Sequence, residues 1–265
     1  MRENGKDLGS VRNFKVILQY EGTRYQGWQK QESTDNTIQG KLEALLSKMT
    51  GDKTEIQGSG RTDAGVHAMG QVANFHADTD KTPEEIMEYM NRYLPEDIAV
   101  IEIEEVQERF HSRLNAKGKT YCYRVLNTIT PHVFDRRYVH MVEQPLDVEA
   151  MQKAAAYLIG THDFKAFTSN KRSKKSTVRT IENITIEQTA SVLFPGGKKD
   201  EIRFTYSGNG FLYHMVRILT GTLLEVGMHR RKPEEVAEIL ACGLREKAGE
   251  LVPAKGLTLM EVRYY

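Results

Sequence analysis

Near the N-terminus, apolar residues recur at every second position. They are Phe14, Val16, Leu18 and Tyr20. This alternation predicts a strand with one buried face. Residues 21–36, which follow, are rich in glycine, glutamine and other polar residues. They predict a long loop after the strand.

The next apolar residues recur at the spacing of an amphipathic helix. They are Ile38, Leu42, Leu45, Leu46 and Met49. Thr37 precedes them as a candidate N-cap, and Gly51 follows as a candidate C-terminal cap. A second helix is predicted after Thr82, because Pro83 and Glu85 complete a capping-box pattern there.

Three strands accompany these helices in the first part of the chain. They are predicted at 54–57, 71–75 and 98–106, and the first two are separated by the glycine-rich stretch 58–70. The resulting order is βαββαβ. This is the split motif of ferredoxin-like sheets, which many RNA-binding domains use.

A similar order returns in the second part of the chain. Strands are predicted at 121–126, 178–186, 201–206 and 257–264, and helices at 148–158, 211–226 and 233–242. The predicted fold class is therefore α+β, with two ferredoxin-like or RRM-like βαββαβ halves, antiparallel sheets and a central cleft. The predicted domains are a flexible tail over 1–12, an N-terminal α+β domain over 13–107 and a C-terminal α+β domain over 108–265.

The composition is that of an ordinary globular protein. Hydrophobic residues make up 39% of the chain and charged residues 28%, which excludes the classes that stay disordered. No run approaches the roughly 18 apolar residues of a membrane span, so a soluble protein is expected. The two cysteines, Cys122 and Cys242, lie far apart, which fits a reducing cytoplasm and suggests neither a disulfide framework nor a zinc site.

The distribution of charge is more informative than its total. The net charge of +1 comes from 37 basic and 36 acidic residues, and it alone gives no reason to expect a polyanionic partner. One basic stretch contains no acidic residue and consists of Lys171, Arg172, Lys174, Lys175 and Arg179; a second covers 229–232. A solvated loop and a helix end would account for both clusters, and so would contacts with phosphates.

The eleven residues GSGRTDAGVHA at 58–68 are the strongest candidate for chemistry. They place Asp63 between glycines that let a backbone approach a ligand closely. The alternative is that Asp63 bonds only to its own backbone in a turn. Ser59 and His67 invite a hydrolytic triad, but no base and orienting group stand at a recognisable spacing, which disfavours it.

This segment resembles the signature of the TruA family of tRNA pseudouridine synthases. Four other segments resemble the family's remaining motifs, in the family's order. They are YEGTRYQGWQ at 20–29, KTYCYR at 119–124, GFLYHMVR at 210–217 and AKGL at 254–257. Together the five segments extend over nearly the whole chain.

The resemblance implies roles for three residues. Asp63 is the catalytic nucleophile, Tyr121 is the aromatic residue that stacks on the target base and transfers a proton, and Arg217 forms an ion pair with Asp63. Uridine must lose its N-glycosidic bond, turn in place and form a C-glycosidic bond, so neither a cofactor nor a metal is expected. An ionised carboxylate can attack the base or the sugar, stabilise an oxocarbenium-like centre, or remove a sugar proton, and these alternatives stay open.

The types of these residues fit their implied roles. Arg217 lies in an apolar segment, where a charge generally needs a partner, and its planar guanidinium could hold a carboxylate in place. Tyr121 shares one face of a predicted strand with Tyr123 and Val125, so packing in the core is the alternative for its ring. Residues 211, 215 and 219 recur at helical spacing and are expected in the core.

Several side chains are expected to contact RNA. They are Arg24, Tyr25, Trp28, Gln29, Lys30, Arg61, Lys171, Arg172 and Arg179. Aromatic and amide groups can stack on nucleotides or pair with them, and basic groups can meet phosphates. For Trp28, anchoring of the first loop to the core is the alternative.

By resemblance, the substrate is tRNA, contacted at its anticodon arm and elbow, and the targets are uridines 38, 39 and 40. A homodimer is expected, with both subunits touching one tRNA. Alternatives are a paralogue with a narrower or different RNA target, a non-catalytic RNA-binding protein, and a metal-dependent hydrolase that uses Asp63, His67, His162 and Asp163. Glu21 stands where the family commonly has aspartate, and NTIQ at 36–39 where a basic residue usually leads, which bears on positional specificity.

Overall fold

A computed structural model describes residues 11–170, 176–190 and 199–265 of the chain. Most of the predicted tail and two predicted RNA contacts, Lys171 and Arg172, lie outside these residues. The chain divides into two compact units. Unit 1 comprises residues 11–64 and Ala68–Ala116, and unit 2 comprises Gly65–His67 and the described part of Lys117–Tyr265. The domain limits at 107 and 108 stay a prediction.

Unit 1 is a four-stranded sheet with two helices. Its elements are β1 (Arg12–Tyr20), α1 (Ile38–Thr50), β2 (Ile56–Gly58), β3 (His67–Ala77, whose first residue belongs to unit 2), α2 (Pro83–Tyr93) and β4 (Ile98–Val106). The strands lie in the order β4-β1-β3-β2, and all neighbours are antiparallel. The alternating apolar side chains of β1 are buried, as predicted. Phe14 pairs with Phe75 across the sheet, and their rings stack with centroids 5.4 Å apart.

Both helices of unit 1 begin where the sequence predicts, and α1 also ends at the predicted cap. The Thr37 side chain accepts from the N–H of Gly40, and Gly51 ends α1 in the left-handed region at a φ of 80°. Thr82 and Glu85 form the complete capping box of α2. These contacts satisfy backbone groups that a helix end would otherwise leave without partners.

Unit 2 contains the remaining strands and helices. They are β5 (Gly118–Leu126), β6 (His140–Met141), α3 (Val148–Ala156), β7 (Gly160–Asp163), β8 (Val178–Thr189), β9 (Glu201–Gly208), α4 (Met215–Gly227), α5 (Glu235–Cys242) and β10 (Leu257–Arg263). The strands lie in the order β10-β5-β9-β8-β7 with antiparallel neighbours, and β6 pairs with β5 in parallel.

The fold is α+β with a mostly antiparallel arrangement of strands and five helices among the described residues, and the predicted class is confirmed at that level. No helix in the described part of the chain is long and apolar enough to cross a membrane.

Three local predictions were wrong. The helix predicted over 211–226 begins only at Met215, because His214 has a φ of 65°, which a right-handed helix does not accommodate. The glycine-rich loop ends earlier than predicted, since β3 already begins at His67. The short strands β6 and β7 were not predicted, because two and four mainly polar residues carry no apolar alternation.

Candidate active site

The loop that carries Asp63 follows β2, and the side chain of Gln71 fixes its first residues. Gln71 is fully buried. Its Oε1 accepts from the hydroxyl of Ser59 at 2.8 Å, and its Nε2 donates to the carbonyl of Gly60 at 3.0 Å. The backbone N–H of Ser59 also donates to the carbonyl of Val72 at 2.7 Å. The loop therefore leaves the sheet in a defined direction.

Thr62, which precedes Asp63, is held by two residues of β1 and the first loop. Its hydroxyl lies 2.8 Å from the hydroxyl of Tyr20, and its carbonyl accepts from the backbone N–H of Trp28 at 3.0 Å. Burial raises the pKa of Tyr20 to about 12, so its phenol stays protonated at neutral pH and keeps its hydrogen bond with Thr62.

Gly27 packs directly against the backbone around Asp63. Its φ is 85°, and a Cβ at this position would lie 2.6 Å from the carbonyl oxygen of Thr62 and 3.1 Å from the carbonyl carbon of Asp63. Only glycine fits, because the conformation is left-handed and the space is occupied by main chain. The half-buried carboxylate of Asp63 thus stands on a backbone that the first loop supports.

Two predicted RNA contacts, Gln29 and Arg61, lie together in unit 1. The Nε of Arg61 donates to the Oε1 of Gln29 at 2.9 Å. Gln29 in turn donates to Gln39 at 2.7 Å, and Gln39 donates to Glu43 at 2.9 Å. Glu43 also pairs with a third predicted contact, Lys30, at 3.1 Å. This chain of hydrogen bonds presents the exposed Arg61 two residues before Asp63.

Arg24 and Tyr25 both contact Asp97. Arg24 forms an ion pair with it at 2.6 Å and leaves 58% of its own side chain exposed. The hydroxyl of Tyr25 donates to the same carboxylate, and its ring is 4% exposed. Burial, followed by the hydrogen bond to Asp97, raises the pKa of Tyr25 well above its usual range. Arg24 can therefore still meet a phosphate, whereas Tyr25 mainly holds its loop in place.

For Trp28 the structure favours the anchoring alternative. The ring is 2% exposed. A Cβ on Gly58 would lie 2.5 Å from the indole, so Trp28 fills the space that the missing side chain of this glycine leaves. A ring in this position offers no face on which a nucleotide could stack.

The chain passes from unit 1 to unit 2 for the three residues Gly65–His67. The Nε2 of His67 lies 3.0 Å from the carbonyl oxygen of Arg137 and 3.1 Å from that of Lys255. Because both partners are acceptors, Nε2 carries the proton. The ring also contacts the ring of Tyr138, with centroids 5.1 Å apart. This bonding occupies the nitrogen that a hydrolytic triad would use, while the Ser59 hydroxyl donates to Gln71.

Tyr121 lies on β5, opposite Leu259 of β10 and Tyr206 of β9. The side chain is 8% exposed. The ring of Phe211 meets it edge-on, with centroids 5.3 Å apart and an interplanar angle of 86°. Phe211, predicted in a helical core, therefore lies before α4 and orients the ring of Tyr121.

Arg217 lies in the first turn of α4 and is half-buried. Its Nε donates to the carbonyl of Val252 at 2.8 Å. This bond fixes the plane of the guanidinium group, because Nε is its only nitrogen on the stem side. Neighbouring residues of α4 are buried nearly all round the helix, so the position of Arg217 is set by a rigid element.

Arg179 is the one predicted phosphate contact of the basic stretch that the structure describes. It is half-buried near Gly210, and its Nη1 donates to the carbonyls of Ser176 and Val178. Burial lowers its pKa from the usual value. Among the described residues, no carboxylate pairs with it.

Two residues near these groups were not predicted to matter. Gln71 and Tyr123 are buried on strands, where glutamine is unexpected and tyrosine is ordinary. A polar residue inside an otherwise apolar strand, as in QVANF at 71–75, was the available signal for Gln71. For Tyr123 no sequence signal separated a core ring from a bonded hydroxyl.

The residues of the metal-dependent hydrolase alternative have other partners. The Nε2 of His162 lies 2.9 Å from the carbonyl of Ile159, and Asp163 accepts from Thr177 and from the backbone of Lys165. In the part of the chain that is described, no three His, Cys, Asp or Glu side chains are grouped as metal ligands would be.

Comparison with known proteins gives a consistent result. A family model described as tRNA pseudouridine synthase matches residues 16–115 and 154–265. The chain is 47% identical over 254 residues to tRNA pseudouridine synthase A of Bacillus sp. (strain KSM-64), covering 96% of this chain and 100% of the relative. It is 46% identical to tRNA pseudouridine synthase A 1 of Clostridium tetani and 42% identical to tRNA pseudouridine synthase A 2 of Bacillus anthracis, with the same coverage. With this similarity along nearly its entire length, the chain belongs to the tRNA pseudouridine synthase family.

Proposed function

We propose that this chain isomerises uridine to pseudouridine in tRNA, with Asp63 as the catalytic carboxylate. Family membership supports the assignment of the reaction. The geometry of the loop that carries Asp63 supports the assignment of this residue. Asp63 is half-buried on a backbone that Gly27, Trp28 and Tyr20 hold from one side. A carboxylate that must act at one carbon benefits from this fixed position, because a misplacement of ~1 Å can cost about a hundredfold in rate.

The reaction balances without any oxidant or reductant. The bond between C1′ of the ribose and N1 of uracil breaks, and a bond between C1′ and C5 forms. The hydrogen of C5 leaves as a proton, and N1 gains a proton. Asp63 acts in its ionised form, by attack on the base or sugar or by removal of a sugar proton.

Tyr121 and Arg217 take the remaining roles in the proposal. The ring of Tyr121 stacks on the uracil, and its hydroxyl takes part in removal of the C5 proton. The edge contact with Phe211 supports this role, because it fixes the orientation of the ring. Arg217 is the proposed ion-pair partner of Asp63, and its bond to Val252 supports a defined orientation for the guanidinium.

The proposed targets are uridines 38, 39 and 40 of the anticodon arm, on the strength of the family resemblance. A homodimer and a cytoplasmic location belong to the same proposal. Two ferredoxin-like halves are proposed as well. The strand order β4-β1-β3-β2 in unit 1 and the corresponding order β10-β5-β9-β8 in unit 2 support them, because both follow a βαββαβ sequence of elements.

The second candidate function is that of a paralogue with a narrower set of targets. Clostridium tetani has two relatives, named tRNA pseudouridine synthase A 1 and A 2, which are 46% and 44% identical to this chain. Two family members in one organism are the arrangement in which the targets can be divided between two proteins. Mapping of pseudouridine in tRNA from cells that lack the protein distinguishes one target position from three.

The experiment measures tritium release from C5-labelled uridine in tRNA transcripts, with chelator present. Wild type is compared with Asp63→Asn, which keeps the shape of the side chain and removes its charge. Asp78→Asn is the matched control, since Asp78 is an exposed aspartate just after β3. The expected result is release by wild type and the control, and none by Asp63→Asn although it still binds tRNA.

Two outcomes contradict the proposal. Release by Asp63→Asn at the wild-type rate would remove Asp63 from the chemistry. Binding of tRNA by wild type without release from any uridine would leave the non-catalytic RNA-binding protein as the better interpretation.

A further inference from the structure

Four consecutive residues, Val252–Lys255, use all their carbonyl groups as hydrogen-bond acceptors, and three of the donors are side chains from distant parts of unit 2. Arg217 Nε donates to Val252 at 2.8 Å, the hydroxyl of Tyr123 donates to Pro253 at 2.7 Å, and His67 Nε2 donates to Lys255 at 3.1 Å. The carbonyl of Ala254 accepts from the backbone N–H of Leu257. We name this segment the carbonyl strap.

Two donors of the strap are residues of the proposed site or of the chain just after it. Arg217 is the proposed cation of the site, and His67 follows Asp63 by four residues. The attachment of His67 holds the last residue of Gly65–His67, the segment that continues the chain after the loop of Asp63. Within unit 2, the strap thus accepts hydrogen bonds both from Arg217 and from His67, which follows the loop of Asp63.

Tyr123 holds the middle of the strap. Its side chain is fully buried. A Cβ on Gly256 would lie 2.6 Å from the ring, so the residue directly after the strap also packs closely against this tyrosine. Burial raises the pKa of Tyr123 well above its usual range, while the nearby Arg217 opposes the shift. The phenol is therefore protonated at neutral pH, and its hydroxyl can donate to the strap.

Packing against the segment after Asp63 completes the attachment. Gly65 has a φ of 79°, and a Cβ there would lie 3.3 Å from the Cβ of Ala254. The second carbonyl bonded by His67, that of Arg137, ties the same ring to another loop of unit 2. A displaced strap would therefore move His67 and Arg217 together.

We propose that the carbonyl strap is a positioning device for the pseudouridine synthase reaction, and that Tyr123 and His67 are positioning residues that act through it. This inference rests on the proposed function. Neither residue needs to touch uridine. Each holds a carbonyl whose neighbours fix Arg217 or the loop of Asp63, so loss of either hydrogen bond lowers turnover more than binding.

The first test is Tyr123→Phe, which removes one oxygen and leaves the ring. The matched control is Tyr206→Phe. Tyr206 is also fully buried, and its hydroxyl bonds to Thr220 at 2.8 Å and not to the strap. We expect Tyr123→Phe to lower kcat at least about tenfold, since small misplacements of reacting groups are costly, with the Kd for tRNA within about twofold of wild type. Tyr206→Phe should keep kcat within about twofold.

The second test uses rescue at His67. His67→Gln keeps an amide N–H near the position of Nε2, whereas His67→Leu removes the donor. His162→Leu is the control, because the Nε2 of His162 also lies within hydrogen-bond distance of a backbone carbonyl oxygen, that of Ile159 at 2.9 Å, and not of the strap. The expected order of kcat is wild type, then His67→Gln, then His67→Leu at least about thirtyfold below wild type, with His162→Leu near wild type.

Thermal unfolding is measured for every variant, so that loss of folded protein is separated from loss of positioning. The strap inference is overturned if Tyr123→Phe and Tyr206→Phe lower kcat equally, or if His67→Leu turns over as fast as His67→Gln. Tritium release by wild type is the prior condition. If wild type releases no tritium, the proposed function fails. If wild type is active but each test variant has the same kcat as its comparison variant, only the strap inference is rejected.

Discussion

The backbone N–H of Trp28 donates to the carbonyl of Thr62, one residue before Asp63, at 3.0 Å. Gly27 lies against the same carbonyl. The first loop is therefore a support for the loop that carries Asp63, the proposed catalytic carboxylate. Substitutions in the first loop should change activity through the backbone of Thr62 and Asp63, without any contact between the first loop and the reacting uridine.

Gly27→Ala is expected to abolish most activity. The left-handed backbone costs alanine about 1 kcal/mol, and its Cβ has to displace the carbonyl of Thr62. Gly51→Ala is the control, because Gly51 has a similar φ of 80° but nothing within 4 Å of the added Cβ. Both variants should lose about 1 kcal/mol or more of unfolding free energy. Only Gly27→Ala should lower kcat, by at least about tenfold; equal activities would contradict the support role.

Trp28 is the sole tryptophan of the chain, so fluorescence excited at a wavelength that the tyrosines do not absorb reports on it alone. A ring that is 2% exposed should emit at short wavelength and resist quenching by acrylamide. Addition of tRNA should leave the emission largely unchanged. Strong quenching on binding would mean that a nucleotide stacks on the indole, and it would restore Trp28 as an RNA contact.

Arg217→Lys should lower kcat although it keeps the positive charge. Lysine has no Nε–H for the carbonyl of Val252, and its ammonium has no fixed plane. We expect a loss of about tenfold or more at saturating tRNA, since orientation of the cation is lost. Arg217→Gln, which also loses the charge, should be slower still. A fully active Arg217→Lys would show that charge alone is sufficient.

Arg179→Gln should weaken tRNA binding in a salt-dependent way. Arg179 has no carboxylate partner among the described residues, so it can neutralise a phosphate without first breaking an ion pair. The slope of log K against log[salt] should fall by roughly one unit of counterion release. Arg92→Gln is the control, because Arg92 pairs with Glu88 on the exposed face of α2. Identical slopes for both variants would argue against the contact.

Glu201 stabilises the folded state of unit 2 at pH values at which its carboxylate is ionised. It is fully buried and pairs with Arg124 at 2.8 Å and Arg203 at 2.6 Å. Burial opposes ionisation of Glu201, but the hydrogen bonds and charges of the two arginines outweigh it and lower its pKa. Since the folded pKa lies below the unfolded one, the stabilisation is present above the ordinary glutamate range and is lost as pH falls through the folded pKa.

Glu201→Gln should therefore lower the free energy of unfolding at pH 7, by about 3 kcal/mol if the loss resembles that of other buried pairs. Urea denaturation at several pH values checks this. The difference from wild type should shrink below about pH 4, where glutamate protonates. A difference that stays constant down to pH 3 would mean that the ion pairs do not provide the stabilisation.

The elements that the sequence predicted correctly are those with strong local signals. Thr37, Gly51, Thr82 and Glu85 mark helix ends through bonds to their own neighbours, and the alternation in β1 directly reflects burial. The start of α4 could not be predicted from local signals of this kind. It depends on the left-handed backbone of His214, a residue with a side chain that rarely adopts this conformation.

In the candidate site, too, the residues within local motifs were predicted and the long-range contacts were not. Asp63, Tyr121 and Arg217 follow from motif resemblance, and their roles stay predictions. The support around them does not follow, because Gln71, Tyr123 and the carbonyl strap act through contacts between residues far apart in sequence. A buried tyrosine in a strand pattern gives no sign that its hydroxyl holds a particular backbone carbonyl.

Gly65–His67 has a consequence for how this family can recombine. These three residues belong to unit 2 although they lie inside the stretch of chain that otherwise forms unit 1. A crossover near residue 117 would seem to exchange whole units between two relatives. It would in fact separate His67 from the Arg137 and Lys255 carbonyls to which it is fitted. In chimeras that fold and function, Gly65–His67 should therefore match the parent that supplies the rest of unit 2, even where the two parents differ elsewhere.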